Sequence, residues 1–102
     1  MYRAPVKDVR FVLRELIDES ALQACPAFVD YSPDLADAVL EEAGKFAENV
    51  LDPLYKSGDQ QGAKWTPEGV VTPAGFQAAY AQYVEGGWPS LRASAHLGGQ
   101  GA

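Results

Sequence analysis

The sequence predicts a small, mainly α domain: about three main helices with one short β-hairpin. Three observations carry this. Apolar residues recur at helical spacing in three separate stretches, each long enough for two or more turns. Two of those stretches open on a Ser/Thr-Pro pair, Ser32-Pro33 and Thr72-Pro73, the residues preferred at a helix N-cap and at the first helical position. Between them, Trp65 and Val70-Val71 flank Thr66-Pro67-Glu68-Gly69, with Pro and Gly where a type I turn favours them. A chain of 102 residues suits one core, and 47% hydrophobic with 22% charged residues is a globular rather than a disordered composition.

Taken in order, Asp8 to Asp18 reads as an amphipathic helix with Asp8 as its cap. Val9, Val12, Leu13, Leu16 and Ile17 form the apolar stripe, and Lys7, Arg10, Arg14, Glu15 and Phe11 lie off it. Such a short helix is unstable alone in water and must pack on something. From Glu19 to Tyr31 the pattern is irregular. Pro26 interrupts any helix through Ala21–Cys25, and Phe28, Val29 and Tyr31 are expected to anchor the connector. The second helix starts at Ser32-Pro33-Asp34 and carries Leu35, Val39, Ala43, Phe46, Ala47, Val50, Leu51 and Leu54 on one face. Pro53 should kink or end it, and Gly58 should stop it before a polar loop from Asp59. The hairpin occupies Lys64 to Thr72. The third helix is expected from Thr72, with Phe76, Ala79, Tyr80, Tyr83 and Val84 on its face, Gly86-Gly87 as terminator and Trp88 packed back over its end. The closing Gly98-Gly99-Gln100-Gly101-Ala102 has no evident means of ordering itself and resembles a chain cut inside a loop.

A net charge of −6 argues against non-specific nucleic-acid binding and against docking on anionic lipid. The single cysteine, Cys25, cannot form an internal disulfide. No apolar stretch has signal-peptide or membrane-spanning length, so the expected location is cytoplasmic.

Residues able to do chemistry are few. His96 is the only histidine, with no orienting carboxylate or companion ligands near it in sequence, and reads as a surface or loop residue. Cys25 precedes Pro26 in an acidic neighbourhood, with Glu19 and Asp30 near, and reads as a buried or half-buried packing residue. The acids Asp34, Asp37, Glu41, Glu42 and Glu48 spread over the polar side of one helix, which favours a solvated face over a catalytic carboxylate pair. Ser57-Gly58-Asp59-Gln60-Gln61-Gly62 lacks the Lys-Ser/Thr of a P-loop, and Gly98-Gly99-Gln100-Gly101 lacks the strand–turn–helix setting of a dinucleotide fingerprint. Trp65, Phe76, Tyr80, Tyr83 and Trp88 have the spacing of packing residues, although the same side chains could line an apolar slot. No catalytic, cofactor-binding or metal-binding residue is assigned.

The ordered set of motifs nevertheless resembles a known family. Tyr2-Arg3-Ala4-Pro5, Asp8, Phe11-Val12-Leu13 and Glu15 come first, then Leu40-Glu41-Glu42-Ala43-Gly44-Lys45-Phe46-Ala47, Val50-Leu51 and Pro53-Leu54. Gly58-Asp59, Gly62, Thr72-Pro73, Gly75-Phe76, Ala79-Tyr80, Gly86-Gly87-Trp88 and Gly98-Gly99-Gln100-Gly101 complete it. Together they are similar to the N-terminal region of acyl-CoA dehydrogenases, in the branch with a short segment ahead of the first helical domain. The resemblance implies residues 1–31 as that N-terminal extension and 32–102 as an N-terminal helical domain, incomplete at its C-terminal end.

It further implies a parent flavoprotein, an FAD-dependent oxidoreductase of fatty acid metabolism. In this family a glutamate removes the α proton of an acyl-CoA thioester while the flavin takes the β hydride. The glutamate and most flavin contacts lie in a middle β-domain and a C-terminal helical domain that these 102 residues do not contain. The resemblance therefore implies FAD in the parent and none for this chain alone. It implies the remaining domains, acyl-CoA and a homo-oligomer as the parent's partners, with a pocket-wall and domain-packing role for this portion and no catalysis by it alone. Two rivals stand beside that reading: a stand-alone helical interaction or oligomerisation module derived from the family, and a small acyl-binding carrier without redox chemistry.

Overall fold

A computed structural model describes residues 1–102. Five α-helices and one antiparallel hairpin, with short π and 3₁₀ turns between them, make up its regular structure, and three of the helices have 10 residues or more. The mainly α expectation with one hairpin therefore holds. The chain divides into two compact units, Met1–Glu48 and Asn49–Ala102, each described separately below.

In the first unit, α1 covers Val6–Phe11 and runs on into a π-turn, Val12–Leu16. Its N-cap is Pro5, not Asp8. Asp8 lies inside the first turn, where a carboxylate suits the helix dipole without capping it. A short α2, Glu19–Gln23, is capped by Asp18, whose carboxylate accepts from the Ala21 N–H at 3.1 Å. Pro26 then opens a 3₁₀ turn, Pro26–Phe28, ending the helix where its ring demands. The connector is not anchored as expected. Phe28 and Val29 are exposed, and Tyr31 does the holding, through a hydroxyl donated to Glu19 and a backbone carbonyl that accepts from Gln23. Helix α3, Pro33–Phe46, starts as its sequence dictates: the Ser32 hydroxyl accepts from Leu35 N–H at 3.1 Å and Pro33 takes the first turn.

Gly44 is buried in α3. A Cβ there would meet Val6 Cγ2 at 3.1 Å and Ala4 Cβ at 3.3 Å. Glycine costs roughly 1 kcal/mol against alanine in a helix interior. Here it allows the leading segment to lie close against α3. Ala4 N–H donates to Glu48 Oε1 at 2.8 Å nearby.

A second π-turn, Ala47–Leu51, follows α3 and leads into α4, Asp52–Gln61. Pro53 explains it. Proline offers no N–H to the carbonyl of Asn49 and its ring crowds that oxygen, so a wider turn relieves both. The helical run therefore survives Pro53 and also passes Gly58. It stops at Gly62, whose φ of 66° is a backbone conformation that favours glycine. The polar loop expected from Asp59 is the last turn of α4.

In the second unit, β1 (Lys64–Thr66) pairs antiparallel with β2 (Gly69–Val71), Trp65 opposite Val70. Thr66 Oγ1 donates to the Gly69 carbonyl at 2.6 Å across the turn. Helix α5 spans Phe76–Glu85 rather than beginning at Thr72. Residues 72–75 form a turn instead, closed by Phe76 N–H to Pro73 carbonyl at 3.2 Å, with Gly75 at φ 87° as N-cap. Gly86 and Gly87 end α5, and the Trp88 indole lies over Gly86, as the sequence implied. The packed centre of this unit is small. Phe76 sits on Gly58, Leu54 lies against Gly75, and Pro73 and Ala79 are buried.

Candidate functional site

The strongest constellation in the first unit is ionic. Two guanidinium groups, one turn apart on the leading helix, converge on one carboxylate of α3. Arg10 Nε donates to Asp37 Oδ1 at 2.9 Å and Arg14 Nη2 to Asp37 Oδ2 at 2.7 Å. Arg10 also reaches Glu41 Oε1 at 2.8 Å, and Arg14 reaches Glu19 Oε1 and the Pro33 carbonyl, each at 3.3 Å. The π-turn after Phe11 sets Arg14 below Arg10 so that both reach the same acid. Hydrogen bonds from Arg14 and then Arg10 hold the Asp37 carboxyl below its ordinary range. The same bonds raise both guanidinium groups, leaving them firmly charged. Tyr31 is raised by its hydrogen bond to Glu19, which favours the neutral phenol.

Two corrections follow. Asp37 and Glu48 are half-buried partners of the leading segment, not members of a solvated face, whereas Asp34, Glu41 and Glu42 are exposed. Of the expected apolar stripe on the leading helix, Leu13 alone is half-buried, while Val9, Val12, Leu16 and Ile17 are exposed. Val6, Arg10, Leu13 and Arg14 turn inward, while Phe11, Val12 and Leu16 from the motif-bearing stretch point out, Leu16 at 70% exposure. A purely apolar stripe was the wrong guide because two arginines with three carboxylates in reach outbid it for the interface. The charged groups of this cluster are paired with one another within the protein.

The second unit also exposes apolar side chains. Trp65 is 79% exposed, and Val70, Val71, Phe76, Tyr80, Tyr83 and Val84 are exposed as well. The Tyr80 and Tyr83 rings lie 6.2 Å apart, tilted at 35°. The aromatics expected to serve as packing therefore split. Phe76 and Trp88 cover glycines, while Trp65 and Tyr80 face outward.

His96 lies exposed on a 3₁₀ turn, Ala95–Leu97, as a loop residue should. Cys25 is exposed rather than packed, its thiol 3.5 Å from the Ala21 carbonyl. No group of three His, Cys, Asp or Glu residues is gathered as metal ligands. No helix is long and apolar enough to cross a membrane.

Neither glycine run is free to cradle a phosphate. Ser57–Gln61 is helical, with its N–H groups committed to α4. The terminal glycines are ordered, against expectation. Gln100, Gly101 and Ala102 N–H groups donate to Ser90, Ala93 and Leu91 carbonyls at 2.8–2.9 Å, and the Gln100 amide donates to Gly87 carbonyl at 2.8 Å. Gly99 is pressed so close to Ala93 that a Cβ would lie 2.1 Å from its carbonyl oxygen. Its own N–H donates to Ser94 carbonyl at 3.0 Å. The N–H groups of both glycine runs are thus committed within the chain.

No family model matches the chain. Two curated proteins do. The chain is 38% identical over 100 residues to 3-methylmercaptopropionyl-CoA dehydrogenase of Ruegeria pomeroyi, a match covering 98% of the chain and 17% of that protein. It is 33% identical over 90 residues to butyryl-CoA dehydrogenase of Syntrophomonas wolfei, covering 84% of the chain and 15% of that protein. The chain thus spans about one sixth of the length of the relatives it matches, and both are acyl-CoA dehydrogenases, the family its motifs resemble.

Proposed function

We propose that this chain is the N-terminal portion of an FAD-dependent acyl-CoA dehydrogenase. Residues 1–31 are its leading extension and residues 32–102 its first helical domain. The observation that carries the reading is the pairing of near-complete coverage of this chain with about one-sixth coverage of two acyl-CoA dehydrogenases. The parent removes a proton and a hydride across the α and β carbons of an acyl-CoA thioester. When bound, FAD supplies the hydride acceptor, and it is held by parts of the parent other than these residues.

The role of this portion is to pack and to wall. The outward aromatic and aliphatic side chains of the second unit, Trp65 and Tyr80 foremost, supply apolar surface suited to burial against other domains and beside an acyl chain. At roughly 25 cal/mol per Å² of apolar area removed from water, covering even part of such a surface stabilises the assembled parent by several kcal/mol. Its partners are the middle and C-terminal domains, acyl-CoA and other subunits of a homo-oligomer, in the cytoplasm.

The test is anaerobic addition of butyryl-CoA or a longer acyl-CoA to the purified parent polypeptide. The reading expects a yellow protein whose flavin band bleaches. A parent without flavin, or one whose flavin is not reduced by any acyl-CoA, overturns it. The same outward apolar surface also fits the second reading, a stand-alone interaction module. A 102-residue chain that is monodisperse and melts cooperatively favours the module, and a dye-binding, loosely packed chain favours the dependent domain.

A further inference from the structure

We propose that the leading segment of this chain, residues 1–16, is a strap fastened to α3 by charge rather than by apolar burial, so that it lifts from α3 as a unit when ionic strength rises while α3 stays folded. The strap and its seat both lie in the first unit. No residue of the leading helix or of its π-turn is buried. The apolar part of the contact is small: Ala4 and Val6 against Gly44, and the half-buried Leu13. A helix this short does not hold itself in water, so its contacts with α3 decide whether it forms.

The charged part is larger. Arg10 and Arg14 share Asp37, Arg10 extends to Glu41 and Arg14 to Glu19 of α2. At the other end of the strap, Ala4 N–H donates to Glu48, and the Arg3 guanidinium stands 3.9 Å from the same carboxylate. The other charges of the leading helix, Lys7, Asp8 and Glu15, are exposed, make no ion pair and take no part in the fastening. The Arg10, Arg14 and Asp37 side chains are each 31–35% exposed, so counter-ions reach them. The screening length falls from about 30 Å at 0.01 M salt to about 3 Å at 1 M, which weakens these pairs, whereas salt does not weaken the burial of apolar surface. Lifting the strap leaves Asp37, Glu41 and Glu48 without their cations and Gly44 bare.

Hydrogen–deuterium exchange on the polypeptide at its natural length tests this, in sodium chloride from about 0.02 M to about 0.5 M. Amides of residues 9–16 should exchange about ten-fold or more faster at the high salt, with those of α3 unchanged. Asp37→Asn removes the shared acid, so the strap should exchange fast at low salt already and lose most of its salt response. Glu41→Gln removes an exposed acid bonded to Arg10 and should lessen the response with the fold intact, which decides the matter where Asp37→Asn does not fold. Exchange at residues 9–16 that is indifferent to salt overturns the proposal, as does exchange that rises only together with that of α3. A salt response of full size in Glu41→Gln and Asp37→Asn alike also overturns it. The exchange is read whether or not flavin is bound, so the strap is decided separately from the function of the parent.

Discussion

Replacing Gly58 by alanine separates two effects of opposite sign. Gly58 lies in the interior of α4, where alanine is favoured over glycine by about 1 kcal/mol. The new methyl would stand 2.5 Å from Phe76 Cζ and 2.7 Å from Cε1, at least 0.8 Å inside normal carbon–carbon contact at about 3.5 Å. Overpacking of this kind costs typically about 1–3 kcal/mol. The Phe76 ring is partly open to solvent and can swing away, at the expense of its own burial, so about 2 kcal/mol is the appropriate middle value. The net expectation is a loss of about 1 kcal/mol, or a melting temperature lower by roughly 4–8 °C in a domain of this size. In a Phe76→Leu background the ring is gone and the helix preference dominates, so Gly58→Ala should raise the melting temperature. The coupling between the two substitutions is about 2 kcal/mol. Thermal melts followed by circular dichroism on the four proteins of this cycle supply the answer. A Gly58→Ala substitution that stabilises both backgrounds equally would refute the seating of Phe76 on Gly58.

Three further outcomes are expected. Gly99→Ala forces a methyl against the Ala93 carbonyl, a backbone atom that cannot move aside, so the terminal turn opens; amide exchange at Gln100, Gly101 and Ala102 should lose its protection. Because the Asp37 carboxyl is held below its unfolded value, its contribution to stability is fully present above about pH 4 and is lost as pH falls through the folded value. Asp37→Asn should therefore lower the melting temperature at pH 7 and flatten its acid dependence, whereas an unchanged acid limb would place the sensitivity elsewhere. Tyr31 is shifted the opposite way, upward. The stability drawn from its neutral phenol is present below about pH 10 and disappears as pH rises through the folded value. Ultraviolet titration should show one tyrosine ionising later than the others, and that late phase should vanish in Tyr31→Phe.

Much of the fold was legible because local rules and the final structure agree. Ser32-Pro33 caps α3, Thr66-Pro67-Glu68-Gly69 turns the hairpin, and Gly86-Gly87 ends α5. The misreadings share one cause: each side chain's role is settled by a neighbour distant in sequence. Gly58 reads locally as a stop, yet it is helical because Phe76, eighteen residues on, needs the space. The leading helix reads as apolar side inward, yet Asp37 draws Arg10 and Arg14 inward instead. The terminal glycines read as unordered because their partners, Ser90, Leu91 and Ala93, signal nothing in the sequence. Arg10, Arg14, Asp37 and Glu19 are the residues that pattern reading missed as a group. Arginines one turn apart on the leading helix were the available signal. Family membership was legible in the order of many weak motifs, none of which is a chemical site.

The proposal that these 102 residues work as one part of a longer flavoenzyme is tested most directly by the coding DNA beyond codon 102. An open frame that continues into a β-rich domain and a second helical domain is expected, bringing the polypeptide to the length of its relatives. A stop codon directly after Ala102 would contradict it and leave the stand-alone interaction module as the reading of this protein.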